Sequence, residues 1–413
     1  MSKRARSLRW LVLALAFVAA PARAQEPGSE LTVYLLTMGV GDFIYERFGH
    51  NAILIRDAAN GTDLAYNWGM FDSDQPGFLG TFLKGRMMYW MQPIPLDRTL
   101  EAYQSLNRSV WAQELNLTPA QKKSVQTFVE WNARDENKFY RYDYYRDNCS
   151  TRVRDVLDLA LAGNLKTQMQ QPAGTTYRSE TTRLMLTDLP ILAGMNLAMG
   201  PLIDEPLTHW TQSFIPMRLQ ESLRTMKVRG ASGQLEPLVR TEYTLFQADR
   251  QEPPATAPNL LPWYLMAGLL IAAVFVLLGT RSWQWTRVVF GLLAASWSLA
   301  IGLLGVLLAG LWAFTDHAVT FNNENVLQAN VFSLVLFVAL IGMALNLRKA
   351  RSLAVWSSVI IAGLAVLGLV VQVLPGLDQA NAGIIALLLP THVALAWVIL
   401  TRHRKPHLPA PIS

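Results

Sequence analysis

The feature that most constrains this chain is a series of apolar stretches in its last third, each close to the length that crosses a bilayer. The stretches are 261–278, 288–312, 326–347, 353–374 and 384–400. About 20 apolar residues span the hydrocarbon layer as a helix, because a helix satisfies its own backbone polar groups. The sequence therefore predicts a transmembrane domain over residues 260–401, an α-helical bundle of about five helices.

The charges between these stretches predict the orientation of the bundle. Connections 281–287 and 348–351 are basic, whereas 315–325 carries acidic residues without Lys or Arg, and 375–383 carries a single Asp. Basic connections stay in the cytoplasm. The first span then runs from outside to inside, everything before it lies outside, and a cytoplasmic tail is predicted at 402–413.

The N-terminus carries an independent export signal. In residues 1–24, a basic segment precedes an apolar run that is too short to span a bilayer, and Ala22-Arg23-Ala24 fits signal peptidase. An uncleaved signal anchor is the alternative, and it leaves the next domain on the same side. We therefore expect a multi-pass protein of the bacterial inner membrane with a periplasmic domain. The net charge of +6 reflects topology signals, so no nucleic-acid partner is expected.

The periplasmic domain is expected over residues 25–250, followed by a proline-rich linker at 251–259. Alternating apolar residues up to position 117 predict strands, and Thr118 with Pro119 predicts the start of a helix. The segment 165–245 is less legible and suggests mixed helix and loop. The fold class expected for the chain is α+β followed by the helical bundle.

Cys149 is the only cysteine in the sequence, so it forms no intrachain disulfide and no zinc site of the CxxC kind. Apolar residues at helical spacing follow it, which places it in the first turn of a helix. A helix N-terminus favours the thiolate and offers N–H groups to an oxyanion. The alternative is a small buried side chain with no chemical role.

A thiol nucleophile needs a general base, and the periplasmic domain has two histidines, His50 and His209. His50 enters an apolar strand after a glycine, whereas His209 looks peripheral. Asn67 lies on the next strand, where its amide could fix the tautomer of His50. Asp42 and Asp147 are alternative orienting groups, and a purely structural His50 and a strand-end Asn67 remain open.

Two segments together resemble a known class of enzyme. They are Phe48-Gly49-His50-Asn51-Ala52-Ile53-Leu54-Ile55 and, far downstream, Asp147-Asn148-Cys149-Ser150. A histidine strand that precedes an Asn-Cys helix is similar to the circularly permuted papain-like enzymes, among them lecithin:retinol acyltransferase. The signal peptide, thiol domain and membrane helices together look like the Lnb-type family, over essentially the full length.

The resemblance implies a lipoprotein N-acyltransferase with a circularly permuted papain-like domain. Cys149 maps to the nucleophile and His50 to the base, while Asn67 stands where the permuted acyltransferases often carry a second histidine. The implied partners are the membrane, a phospholipid acyl donor and an apolipoprotein acceptor. No metal or other cofactor is expected.

Substrate contacts are expected from Asn148, beside the thiol, and from the polar connection that faces the same side of the membrane. In that connection the candidates are His317, Asn322 and Asn325, and an ordinary solvated connector is the alternative. Two other functions remain open. One is an NlpC-type thiol peptidase or amidase of the cell wall, and the other is a non-enzymatic binding or sensor protein, in which Cys149→Ser would be silent.

Overall fold

The computed structural model describes residues 26–230, 233–377 and 379–404. The signal peptide expected at 1–24 lies outside the described residues, as does most of the expected tail. The described chain consists of a sheet-rich α+β domain followed by long apolar helices, which confirms the expected fold class.

The strands of the described chain all lie before residue 247. They are β1 (Leu31–Met38), β2 (His50–Asp57), β3 (Thr62–Met70), β4 (Met88–Pro95), β5 (Val110–Leu115), β6 (Phe139–Arg141), β7 (Pro172–Thr176), β8 (Pro206–Thr208), β9 (Lys227–Arg229), β10 (Leu235–Pro237) and β11 (Val239–Phe246). Among the described residues, seven strands form an antiparallel sheet in the order β11-β5-β1-β2-β3-β4-β6. The expectation of helix and loop over 165–245 was wrong for β7 to β11, whose short length or exposed edge position weakens the alternating pattern.

The helices of the α+β domain lie on both faces of this sheet. They are α1 (Phe78–Leu83), α2 (Leu96–Ser105), α3 (Pro119–Asn132), α4 (Cys149–Ala160), α5 (Asn164–Gln168), α6 (Tyr177–Leu184), α7 (Leu189–Ala198), α8 (His209–Gln212) and α9 (Pro216–Thr225). Helix α4 packs on β2 and β3, with α3 and α9 beside it, and α2 packs on the opposite face. The histidine strand thus precedes the cysteine helix that packs on it, in the order expected.

Strand β1 shows why the sheet is covered on both faces. Leu31, Val33 and Leu35 join the core beneath α4, whereas Tyr34 and Leu36 join the core beneath α2. Successive side chains of a strand point to opposite faces, so a strand that is apolar throughout must be covered twice. The same alternation determines from which face of the sheet each candidate functional group reaches the site.

Five long apolar helices within the described residues are suited to crossing a membrane. They are α10 (Leu261–Thr280), α11 (Gln284–Phe314), α12 (Phe332–Ala344), α13 (Ala350–Val370) and α14 (Ala382–Arg404). The third expected span is interrupted, because a short 3-10 turn at Glu324–Leu327 precedes α12 and the pair forms one span. Helix α10 packs along α14, and each of α11, α12 and α13 packs on the next helix.

The α+β domain contacts the bundle at the end that carries the connections around residues 316–325 and 379–381. Leu197 of α7 is buried among apolar residues of α11 and α14. The Asn323 side chain donates to the carbonyl oxygen of Leu197 (2.8 Å), and Asp204 accepts from the backbone N–H of Ala380 (3.1 Å). A second contact joins Arg86 to Asp316 at 2.8 Å. The domain is therefore docked on the outer ends of the helices rather than merely tethered to them.

Candidate active site

Helix α4 begins at the cysteine because Asn148 caps it. The Asn148 side-chain oxygen accepts from the backbone N–H groups of Ser150 (2.9 Å) and Thr151 (3.0 Å). Its amide nitrogen donates to the carbonyl oxygens of Tyr144 and Phe214, both at 2.9 Å. All four hydrogen-bonding positions of this amide are therefore engaged in fixing the start of α4 and the loops around it.

Cys149 follows the cap and is 8 % exposed. Burial raises the pKa of the Cys149 thiol above its ordinary value, while the backbone N–H groups of Asn51, Ser150 and Cys149 itself, and the Arg108 guanidinium, act to lower it. The sulfur thus lies against the backbone of β2, one residue past His50. The same N–H groups are oriented to hold a negative charge that develops beside the sulfur.

His50 is the first residue of β2, and its Nε2 lies 3.1 Å from the side-chain oxygen of Asn67 on β3. Asn67 also donates to the carbonyl oxygen of Ala65 (2.9 Å), which fixes which end of the amide faces the ring. An acceptor oxygen at Nε2 places the ring proton there, so Nδ1 carries the free lone pair. The structure therefore brings His50 and Asn67 together, as the strand pairing predicted.

The backbone before His50 adopts a conformation that needs glycine. Gly49 has a φ of +80°, and a Cβ there would come within 2.8 Å of both the Met217 sulfur and the Met38 carbonyl oxygen. Side chains other than glycine rarely adopt this φ. Gly49 therefore allows the chain to turn sharply into β2 at the point where the imidazole is presented.

A buried ion pair lies beside the tyrosine on which the His50 ring stacks. The His50 ring stacks on Tyr103 (6.4 Å between centroids), and the Arg108 guanidinium lies 4.7 Å from the centroid of Tyr103. Arg108 pairs with Glu46 at 3.1 Å, and both side chains are buried. His50 as a residue is only partly buried. Burial, then the positive charge of Arg108, lowers the pKa of His50 to about 4, against the opposing effect of Asn67.

The two groups approach the end of β2 from opposite faces of the sheet. His50 shares the face of Ala52 and Leu54 and is held by Tyr103 from the α2 side, whereas Cys149 belongs to the core on the α4 side. Both lie near the start of β2, His50 as its first residue and Cys149 against the backbone N–H of Asn51. At neutral pH both groups are uncharged, which suits a base that accepts the thiol proton as the sulfur attacks.

A glycine bulge beside the thiol was not recognised from the sequence. The pairing of β3 with β4 shifts between Asn67 and Met70, and Gly69 in this bulge has a φ of +90°. A Cβ at Gly69 would lie 3.6 Å from the Cβ of Cys149 and 3.8 Å from the ring of Tyr142. The bulge lets the backbone pass close to the thiol and opens space between it and the tyrosine. A lone Gly in an apolar strand was the available signal.

The alternative orienting groups lie in other interactions. Asp42 is paired with Arg250 (2.7 Å), and Asp147 is paired with Arg152. His209 begins α8, where its carbonyl oxygen accepts from the Ser213 hydroxyl. Asn67 is thus the group that the structure places on His50.

The candidates in the outer connection lie at the joint between the domain and the bundle. His317 Nε2 lies 3.0 Å from the Phe82 carbonyl oxygen, and the Asn325 amide donates to the carbonyl oxygens of Asn196 and Leu197. Asn322 is exposed, with a φ of +54°. The structure does not bring these three side chains to the thiol, and a role in binding substrate stays a prediction.

The fold and the site together define a multi-pass membrane protein with a thiol-bearing α+β domain docked on its helices. Residues 19–185 match the family model described as the Lnb N-terminal periplasmic domain, and residues 256–405 match the one described as the Lnb transmembrane domain. The chain belongs to the Lnb family, which confirms the resemblance seen in the sequence, and its N-terminal domain is of the periplasmic kind. No curated protein and no solved structure matches the chain.

Proposed function

We propose that this protein is a membrane-bound thiol acyltransferase that moves an acyl chain from a phospholipid to the N-terminal amine of apolipoproteins. One observation carries the proposal. The buried Cys149 thiol, beside the backbone N–H groups of Asn51 and Ser150 and next to the His50 strand, belongs to a domain docked on the outer ends of membrane helices. Membership of the Lnb family supports a role in lipoprotein chemistry.

In the first half-reaction, the Cys149 sulfur attacks an ester carbonyl of the phospholipid as His50 accepts the thiol proton. The carbon–sulfur bond forms, and the N–H groups around the sulfur hold the oxyanion. The ester C–O bond then breaks, and His50 returns the proton to the departing lysophospholipid oxygen. An acyl thioester remains on Cys149.

In the second half-reaction, the amine of the acceptor attacks the thioester carbonyl. His50 accepts a proton from that amine, the carbon–nitrogen bond forms and the carbon–sulfur bond breaks. The proton passes to the departing sulfur, which regenerates the neutral thiol. In both half-reactions Asn67 keeps the imidazole oriented. Both substrates are held on the periplasmic side of the membrane, and the C-terminus lies in the cytoplasm.

The proposal is tested in cells that lack their native lipoprotein N-acyltransferase. Mass spectrometry of lipoprotein N-terminal peptides should show conversion from diacyl to triacyl forms when the wild-type protein is expressed. Cys149→Ala and His50→Ala should abolish the conversion at equal protein levels. His209→Ala is the matched control and should convert as the wild type does, since the other histidine of the domain lies away from the thiol.

The outcomes separate this function from its rivals. Equal conversion by Cys149→Ala would contradict the thioester mechanism. If the wild type leaves lipoprotein peptides unchanged but alters muropeptides in a Cys149-dependent way, the protein is a cell-wall peptidase or amidase. If Cys149→Ser is silent in both assays, the domain binds or senses rather than catalyses.

A further inference from the structure

Several large apolar side chains on and near α1 are exposed in the described part of the chain. Leu79 is 67 % exposed and Leu83 is 56 % exposed on α1 itself. The turn before β2 adds Phe43, Ile44 and Tyr45, each about half exposed or more. A contiguous apolar surface of this kind marks an interaction site. We call this set of five side chains the α1 surface.

A row of aromatic rings leads from the α1 surface to the thiol. Phe78 of α1 stacks on Phe71 (6.0 Å between centroids), Phe71 on Tyr89 (5.1 Å), and Tyr89 on Tyr142 (4.3 Å). Tyr45 lies beside the row, and its ring centroid is 5.6 Å from that of Phe71. We call these rings the aromatic row.

The inner end of the aromatic row is beside Cys149. Tyr142 and Cys149 both border Gly69, whose missing side chain leaves the space between them. Burial, and secondly the charge on Cys149, raises the pKa of Tyr142, as expected for neighbours. The inner end of the aromatic row therefore lies close to Cys149.

The outer end of the aromatic row is at the membrane boundary. The end of α1 is hydrogen-bonded to the connection that follows α11. The Asp316 N–H donates to the Lys84 carbonyl oxygen (2.8 Å), and His317 Nε2 lies 3.0 Å from the Phe82 carbonyl oxygen. Helix α11 ends at Phe314, which is 84 % exposed. The α1 surface thus lies at the level where a membrane helix emerges from the lipid.

We propose that the α1 surface enters the outer leaflet and that the aromatic row carries a lipid acyl chain from the bilayer to Cys149. The occupant is a lipid because the row begins on α1, which is hydrogen-bonded to the connection that follows a membrane helix, and because the row is built of aromatic rings. Tyrosine and phenylalanine suit this boundary, since their rings are apolar and the tyrosine hydroxyl remains near water. The inference rests on the proposed acyl transfer and says where the chain lies during it.

The first test measures whether lipid contacts the α1 surface and the aromatic row, and it does not require catalysis. Full-length Cys149→Ser protein, in nanodiscs of phosphatidylethanolamine and phosphatidylglycerol, is irradiated with a phospholipid that carries a diazirine in one acyl chain. Peptides that contain residues 71–89 and 140–144 should be labelled, in addition to the membrane helices. Peptides around Leu159 and Leu235 are the control, because these side chains are 60 % and 62 % exposed but lie away from the aromatic row. Labelling confined to the membrane helices, or equal at the controls, overturns the inference.

The second test measures acyl-Cys149 by intact-protein mass spectrometry with a long-chain and a short-chain phospholipid. Phe71→Ala and Phe78→Ala should slow acylation by the long-chain donor about tenfold, which corresponds to about 1.4 kcal/mol, because each removes a ring from the row along which the chain would lie. Acylation by the short-chain donor should remain near the wild-type rate, and Leu159→Ala should change neither. Equal effects on both donors contradict the inference.

The two proposals fail in different ways. If the wild type never forms acyl-Cys149 with any donor, the proposed transfer is wrong, whereas photolabelling still decides whether lipid occupies the aromatic row. If acylation proceeds but labelling and chain-length dependence are both absent, the transfer stands and the inference falls.

Discussion

At the scale of residues, burial acts on the two reactive groups in opposite senses with the same result. It raises the pKa of the Cys149 thiol and lowers that of His50, so each group is held uncharged near neutral pH. Arg108 favours the thiolate but opposes the imidazolium. In the proposed reaction the resting pair is therefore neutral, and the thiolate forms as the sulfur attacks the substrate. A neutral thiol is also protected from the oxidation that threatens exposed thiolates outside the cell.

The first prediction concerns the acid limb of acylation. His50 acts as a base only when it is neutral, which it is above a pKa of about 4. Acylation of Cys149 should therefore stay constant as pH falls through 6.5, the ordinary pKa of histidine, and decline only as pH approaches about 4. Rapid-quench measurement of acyl-Cys149 against pH checks this, and a midpoint near 6.5 would contradict it.

The same pKa has a consequence for stability. The folded His50 has the lower pKa, so between about 4 and 6.5 the unfolded chain binds more protons than the folded chain. Stability contributed by neutral His50 is present above that window and is lost as pH falls through it. The midpoint temperature of thermal unfolding should therefore fall more steeply between pH 6.5 and 4 for the wild type than for His50→Gln, which lacks this titrating group.

The second prediction concerns Asn67. Asn67→Ala removes the acceptor that faces His50 Nε2 and frees the ring to rotate, and misplaced catalytic groups commonly cost about 100-fold in rate. We expect a fall in kcat of roughly that size, with the binding of donor lipid little changed. Asn67→Gln, which keeps the amide on a longer arm, is the control and should retain more activity. Loss of lipid binding with unchanged kcat would argue against an orienting role.

The sequence was enough to propose Cys149 and His50 as catalytic candidates, but it did not show their surroundings. A lone cysteine at a helix start and a histidine at a strand start are visible in local patterns. Arg108 and Tyr103 reach His50 only through tertiary folding, from positions more than 50 residues away, and the lone Gly69 could signal a bulge but not that it lies beside Cys149. Contacts made by tertiary packing leave no periodicity in one chain.

At the scale of elements, the start of α4 determines where the thiol is. Asn148 caps the helix and also donates to the Tyr144 and Phe214 carbonyl oxygens, so it joins the helix to the loops on either side. The sequence predicted the helix at Cys149 because apolar residues recur after it and the Asn before it is a favoured cap. The span 165–245 was harder to predict, since β11 is an exposed edge strand paired with a distant β5.

The third prediction follows from this cap. Asn148→Ala removes both capping bonds and leaves two carbonyl oxygens without their donor, which should lower the free energy of unfolding of the domain by about 1–3 kcal/mol. Asn148→Asp keeps the capping oxygen and should recover part of the loss. Circular dichroism melts measure the stability, and iodoacetamide labelling reports whether Cys149 has become accessible. A variant as stable as the wild type would contradict the capping role.

At the scale of the whole molecule, the α+β domain is held on the bundle by two separate contacts. Near α7, Leu197 is buried in the bundle and Arg178 pairs with Asp204, which accepts from Ala380 N–H. Near α1, Asp316 pairs with Arg86 and also with a second arginine of the domain. Two contacts on different elements restrict rotation of the domain, so the orientation of the site toward the lipid is fixed by packing.

The proline-rich linker expected from the sequence is itself held against the domain. Arg183 donates to the Pro254 carbonyl oxygen (3.1 Å), and Arg218 donates to that of Ala255 (3.0 Å). Composition alone predicted a short connection but gave no sign that the two halves would dock. Docking depends on Leu197 and Asn323, which are far apart in the chain.

The fourth prediction tests whether the docked contacts or the linker set the position of the thiol. If the two contacts orient the site, a few Gly and Ser residues inserted after Pro258 should leave acylation of Cys149 nearly unchanged, because the domain still docks. Substitution Asn323→Ala combined with Asp316→Ala should lower acylation by membrane phospholipid, since it removes one of the two hydrogen bonds to the Leu197 carbonyl oxygen and both ion pairs of Asp316. Acylation by a short-chain donor in detergent solution should survive in both proteins, because the thiol and the imidazole are untouched. If insertion abolishes acylation while the double variant is active, the linker rather than the docked contacts sets the position of the thiol.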